Sequence, residues 1–287
     1  MSVNSLLCFG YGYTAKYLAK HVSLSKCEIF GTKRTPETNY CPENKLLGKD
    51  VKLLRWPDAE TPLPQADAIL VSVPPTEQGC PVFAEFSKIK GYFDSKTWIG
   101  FLSSTGVYGD LGGGWAFEET PIKPLSDEAK NRAIAETQWK EVGAHIFRLP
   151  GIYGPGRSTF DRIRSGKSRR IIKEGQIFSR AHVEDIANLL ALSIAKPNPG
   201  RIYNVADDQP CAPQTLIEQG AKLLKVAPPP SVAFEDANLP IKAQRFYSEC
   251  KRISNARAKS ELGWIPRYPN YKIGLKAVLQ AETETSN

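Results

Sequence analysis

The run Leu6-Leu7-Cys8-Phe9 passes without a break into Gly10-Tyr11-Gly12-Tyr13-Thr14-Ala15. Four consecutive apolar residues ahead of a glycine turn read as a buried strand. Gly10 allows a tight turn, Gly12 a close approach of backbone to ligand, and the small Ala15 lets a helix pack on the strand. Ala15, Leu18, Ala19 and Val22 continue as an i, i+3, i+4, i+7 apolar stripe, the mark of an amphipathic helix. The free N–H groups of such a helix start attract phosphate. Gly10, Tyr11, Gly12, Tyr13, Thr14 and Ala15 therefore read as the pyrophosphate cradle of a dinucleotide site. A ligand-free structural turn has the same composition, so the spacing needs its context.

The context is alternation. Apolar runs at 27–30, 51–54, 68–73, 98–103 and 145–149 are separated by helical stretches at 13–22, 82–94 and 126–142. This order predicts an α/β fold: a Rossmann-type, doubly wound parallel sheet with helices on both faces. The dinucleotide domain is expected over 1–150, completed by about 178–206. A helix at 181–196 and a short strand at 201–205 belong to that completion. A smaller substrate-side lobe is expected from 151–177 and 207–287, with helices near 254–262 and 271–281. It would lie over the carboxyl ends of the strands, where doubly wound folds bind ligands.

Composition narrows the function classes. With 41% hydrophobic residues and no apolar run of the ~20 residues a membrane span needs, the chain reads as cytoplasmic, with no membrane partner. The six cysteines, at 8, 27, 41, 80, 211 and 250, form no C-x-x-C pair and read as reduced thiols. The three histidines have no metal-ligand spacing, so no metal is expected. The net charge of +8 comes without basic runs interleaved with aromatics, so no nucleic-acid partner is expected. The densest basic stretch holds Arg157, Arg162, Arg164, Lys167, Arg169 and Arg170. It reads as a solvated face or as a surface for an anionic ligand.

Cofactor choice is legible at the end of the second strand, Gly31-Thr32-Lys33-Arg34. NAD-binding turns place an acid there for the ribose 2′-hydroxyl. Glu28 lies inside the strand and Glu37 past the turn, and two cations stand where the acid belongs. Thr32, Lys33 and Arg34 therefore point to a 2′-phosphate, and so to NADP(H) over NAD(H). Ordinary loop cations are the alternative. Ser72, Val73 and Pro74 should border the nucleoside and nicotinamide side.

Four segments together carry a resemblance. They are Gly10-x-Gly12-x-x-Ala15, Ser103-Ser104-Thr105-Gly106-Val107-Tyr108-Gly109-Asp110, Arg148-Leu149-Pro150-Gly151-Ile152-Tyr153-Gly154-Pro155-Gly156-Arg157 and His182-Val183-Glu184-Asp185-Ile186-Ala187. Tyr203-Asn204-Val205-Ala206 is a fifth. Over residues 5 to about 275 the chain resembles the extended short-chain dehydrogenase/reductase superfamily. Its length and its ending, Leu262-Gly263-Trp264, resemble the atypical YeeZ-like group of NAD(P)-dependent epimerase-like proteins. The resemblance implies that Pro150 and Ile152 border the cofactor, and that Thr105, Tyr153, Arg157, Arg169 and Arg170 border substrate. It also implies a homodimer built on the helices at 82–94 and 126–142.

The family uses a Ser with a Tyr-x-x-x-Lys pair. Ser104 matches the serine. Counting back from Ala135-Glu136 puts Arg132 at the lysine position and Glu128 at the tyrosine position. No tyrosine lies between Tyr108 and Tyr153. Tyr92/Lys96, Tyr247/Lys251 and Tyr268/Lys272 read as coincidences. Ser104, Tyr108 and Arg132 are the expected catalytic residues, with Glu118 and Glu119 as alternative acids. Two functions follow: an NADP(H)-dependent oxidoreductase or epimerase-like enzyme on a small polar, sugar-related or phosphorylated substrate, or a non-catalytic NADP(H)-binding sensor or scaffold.

Overall fold

The computed structural model describes residues 3–22, 27–35, 51–57, 63–89, 91–93 and 96–285; Glu37 and Cys41 lie outside them. The chain alternates as expected through β1 (Ser5–Phe9), α1 (Tyr13–Val22), β2 (Glu28–Lys33), β3 (Val51–Arg55), β4 (Ala68–Val71), α2 (Pro81–Phe86) and β5 (Trp98–Ser104). A single tight turn (Thr105–Tyr108), β6 (Trp115–Ala116), α3 (Asp127–Glu141) and β7 (His145–Leu149) follow. Seven parallel strands form the central sheet, in the order β11 (Ile202–Asn204), β7, β5, β4, β1, β2, β3. The strand order reverses beside β1, which opens a crevice at the carboxyl ends.

Alternation along the strands divides the core. Leu6 and Cys8 of β1 face a cluster with Ala15 and Leu18 of α1, Ile186 and Leu190 of α5 (Val183–Ala195), and Trp264. Leu7 and Phe9 face the other side, with Val82 and Phe86 of α2 and Ala135 and Trp139 of α3. Ser126 caps α3 by accepting from Ala129 N at 3.2 Å. Asp127 and Glu128 in its first turn suit the positive end of the helix.

The helix expected at 82–94 stops at Phe86. Gly91 adopts φ +79°, and Tyr92 folds back to stack on Phe86 with ring centroids 4.4 Å apart. Aromatic packing onto the sheet face wins over helix extension. The apolar residues of α2 turn inward, and α3 exposes Ile134 between Lys130, Thr137 and Glu141.

Beyond β7 the chain forms β8 (Gly151–Tyr153), α4 (Phe160–Arg164), β9 (Arg170–Ile172) and β10 (Arg180–His182). After β11 come α6 (Pro213–Leu224), β12 (Ser231–Ala233), α7 (Ile241–Tyr247), β13 (Arg252–Ile253), α8 (Ala256–Leu262) and α9 (Tyr271–Thr285). Three two-stranded pairs tie these elements together: β8 with β10, β9 with β12, and β13 with β6. The last pair fastens the C-terminal third onto the loop that follows β5. No helix among the described residues is long and apolar enough to cross a membrane.

Candidate functional site

The glycine turn is held from below by two hydroxyls. Gly10 has φ +82°, and a Cβ there would lie 2.8 Å from Ser72 Oγ. Its N–H donates to Thr32 Oγ1 at 3.0 Å, and Ser72 Oγ donates to the Gly10 carbonyl at 2.6 Å. Tyr11 N donates to the Thr32 carbonyl at 2.9 Å. Thr32 is buried, so its hydroxyl braces the turn and does not reach a 2′-phosphate; the burial of β2 beside β1 decides this. Ser72 likewise spends its proton on the turn. The N–H groups of residues 13–15 have no helical carbonyl to bond. These free N–H groups, beside a turn with no room for a side chain at position 10, are the donor set that a pyrophosphate needs. Lys33 is half-buried and Arg34 exposed at the end of β2.

Tyr13 crosses from α1 to the opposite loop, where its hydroxyl donates to the Pro155 carbonyl at 2.9 Å. The Arg157 guanidinium lies over its ring, 5.9 Å from the centroid. Arg157 therefore stands between the glycine turn and a cavity of about 710 Å³ at the carboxyl ends of β5 and β7. The sheet side of the cavity is Ser104, Thr105, Gly106, Pro150 and Gly151. Ser126, Asp127 and Glu128 line it from the start of α3. Phe178, Arg245, Phe246, Ser248, Glu249 and Lys251 close it from the C-terminal side.

Ser104 is where its motif places it. Its Oγ accepts from Gly106 N at 3.1 Å, which leaves its own proton for a ligand. Tyr108 is not in the cavity. It is fully buried, donates to Asn204 Oδ1 at 2.7 Å, and lies under the Arg148 guanidinium at 4.8 Å. Burial pushes its pKa up, against the pull of Arg148. A phenol so placed is a packed wall residue, because the short turn after β5 rotates it into the interior.

Arg132 is also committed elsewhere: its Nη1 donates to the Leu102 carbonyl, and the cavity wall does not include it. Glu118 is buried, with Oε1 accepting from Asn204 N at 2.9 Å, and Glu119 pairs with Arg257. Neither alternative acid reaches the cavity.

The basic stretch divides in the same way. Arg157 lines the cavity, whereas Arg170 Nη1 pairs with Glu218 at 2.7 Å and its Nε donates to the Pro229 carbonyl. Arg169 donates to the Ala237 carbonyl at 3.1 Å. Both tie β9 to its neighbours and lie outside the cavity wall. Tyr153 is buried among Phe160, Leu275 and Val278, and Ile152 packs against the core. Sequence reasoning set aside Lys251 as part of a coincidental pair. Its ammonium instead lines the cavity, donating to the Gly109 carbonyl at 2.6 Å and to Glu249. Nothing local to residues 245–253 signals this; the pairing of β13 with β6 brings them in.

No protein-family model matches the chain. The structure of a functionally unknown conserved protein from Silicibacter pomeroyi DSS is 43% identical and superposes with a TM-score of 0.90, covering 97% of this chain and 99% of that one. Protein YeeZ of Escherichia coli K12 is 27% identical over 278 residues, 91% of this chain and 95% of its own. The fold is shared more distantly with dTDP-glucose 4,6-dehydratase from Bacillus anthracis in complex with NAD. That structure gives a TM-score of 0.77 at 17% identity, covering 98% of this chain and 96% of that one. The chain is thus related to the Silicibacter pomeroyi protein and to Protein YeeZ, and it has the same fold as the NAD-bound dehydratase. Ser104, which the resemblance matches to a family serine, lines the cavity. Glu128, at the position where the resemblance expects tyrosine, lines the cavity as well. One turn later Arg132 faces the sheet.

Proposed function

We propose that this protein is an NADP(H)-dependent oxidoreductase or epimerase-like enzyme of the short-chain dehydrogenase/reductase type, acting on a small polar substrate. The reading rests on one relationship: a braced glycine turn and a cavity containing Ser104 share the carboxyl edge of one parallel sheet. The N–H groups at the start of α1 would hold the pyrophosphate, with Val73 and Pro74 beside the nucleoside. Arg34, with Lys33, would pair with the 2′-phosphate. When bound, the nicotinamide donates or accepts the hydride.

Ser104 then donates its free proton to a substrate oxygen. Glu128 replaces Tyr108 as the proposed proton carrier: of the two carboxylates that α3 presents to the cavity, Asp127 pairs with Lys130, and Glu128 stands where the resemblance expects the tyrosine. Seryl hydroxyls and charged pairs around the cavity support a polar substrate. Calorimetry with NADPH and NADH tests the cofactor, and a screen for NADPH oxidation across carbonyl substrates tests the chemistry. Failure of both nucleotides to bind overturns the reading. A non-catalytic sensor is the second reading. It is favoured by the commitment of Tyr108 and Arg132 to structural bonds, and tight NADPH binding with no turnover across the screen would select it. A homodimer is proposed for either function, and light scattering at micromolar concentration decides it.

A further inference from the structure

Phe178 and Phe246 form a stacked pair in the cavity wall, with ring centroids 3.9 Å apart and planes 16° from parallel. Phe246 is the outer ring of the pair and 51% exposed. An apolar ring left this open beside a polar cavity is a platform for another flat ring, since stacked aromatics attract beyond their area of contact.

The charges of the same wall are nearly balanced. Arg245 faces Glu128 at 3.8 Å, Lys251 pairs with Glu249, and Asp127 pairs with Lys130 at 3.2 Å. Among the described residues, Arg157 is the cavity cation with no carboxylate within ion-pair distance. One uncompensated guanidinium suits one carboxylate, which it binds with two parallel hydrogen bonds. A diphosphate brings two or more charges, and the remaining cations here are already neutralised.

Resting on the oxidoreductase reading, we propose that the cavity takes an aromatic monocarboxylate. Its ring extends the Phe178/Phe246 stack and its carboxylate lies on Arg157. Arg157 also lies over Tyr13, so the bound acid sits against the loop that faces the glycine turn. Ser104 lines the same cavity.

The probe is trans-cinnamate, titrated by calorimetry into NADP⁺-saturated protein. Cinnamyl alcohol serves as the flat neutral control, hexanoate as the flexible anionic control, and uridine diphosphate as the ring-bearing polyanion. Cinnamate is expected to bind, with the alcohol and hexanoate each about tenfold weaker, and Phe246→Ala and Arg157→Gln each losing about tenfold for cinnamate. Affinity for NADP⁺ should stay within about twofold in Phe246→Ala. The proposal is overturned if cinnamate does not bind. It is equally overturned if both variants bind it as tightly as the wild type, or if uridine diphosphate is the ligand that both variants lose. Loss of NADP⁺ affinity in Arg157→Gln with cinnamate binding intact would assign the cation to the cofactor and overturn it too. The NADP⁺ titration comes first. If it shows no binding, the cofactor reading falls by itself, and cinnamate titrated into the cofactor-free protein decides the ligand.

Discussion

Glu136 holds Arg148 in a doubly hydrogen-bonded pair, Oε2 to Nη2 at 2.7 Å and Oε1 to Nε at 3.0 Å, with both side chains at most 2% exposed. Ser103 Oγ adds a bond to Glu136 at 2.6 Å, and Arg148 Nη1 donates to the Glu118 carbonyl at 3.1 Å. The pair locks α3 to β5 and β7 directly behind the cavity. Removing one partner strands a buried charge. Arg148→Met should therefore cost about 3–5 kcal/mol, lowering Tm by roughly 6–15 °C for a chain of this size. Differential scanning calorimetry measures it. A fall of under about 3 °C would mean that the pair contributes no more than an ordinary surface contact.

The two residues that follow Gly31 should separate by ligand. Thr32→Val removes the acceptor for Gly10 N–H beneath the turn and should weaken NADPH and NADH equally, by about fivefold or more. Arg34→Ala should weaken NADPH by about tenfold or more and leave NADH nearly unchanged. Isothermal titration of both nucleotides reads the contrast, and equal losses in Arg34→Ala would remove the 2′-phosphate assignment.

Tyr108 and Glu128 should differ in kind. Tyr108→Phe deletes the buried bond to Asn204 and should lower stability by about 1–3 kcal/mol, leaving NADPH affinity intact. Glu128→Gln sits at the cavity and should leave both stability and NADPH affinity intact. With a substrate in hand, it should lower kcat by about 10²–10⁴. A normal rate in Glu128→Gln would reject the carboxylate as proton carrier.

The contribution of Asp207 to stability should fall between pH 4 and 7 for a traceable reason. Burial raises the Asp207 carboxyl to about 7, and its Oδ2 lacks a hydrogen-bond partner. A raised carboxyl pKa means that the folded protein keeps a proton the unfolded chain releases, so this group's contribution is lost as pH climbs from the unfolded value toward 7. Above that window it stays constant. Asp207→Asn keeps an acceptor for Gln209 N, which Oδ1 now bonds at 3.2 Å, and needs no ionisation. It should flatten the slope and raise Tm at pH 8 by about 2–4 °C for each kcal/mol recovered. Thermal melts from pH 4 to 8 give the comparison, and an unchanged slope would clear Asp207 of the effect.

The sequence by itself determined the sheet, the glycine turn and the place of Ser104. Each is written in neighbouring residues: an apolar run, a glycine where φ is positive, a helix stripe, a motif read along one segment. Periodicity also placed α3 and α5 to within a few residues. Tertiary structure decided which side chains meet. Whether a hydroxyl after a strand faces ligand or braces a turn depends on the neighbouring strand, and β1 claims Thr32. Whether a phenol after β5 lines a cavity depends on the rotation of one short turn, and that rotation buries Tyr108 against Asn204. Arg169 and Arg170 are spent on carbonyls and a carboxylate some 50 to 70 positions away in the chain. Phe246 and Lys251 enter the cavity because β13 pairs with β6, a contact across more than 130 residues. Local spacing encodes backbone conformation, whereas the partner of a long polar side chain is set by whatever the fold brings within about 3 Å of it.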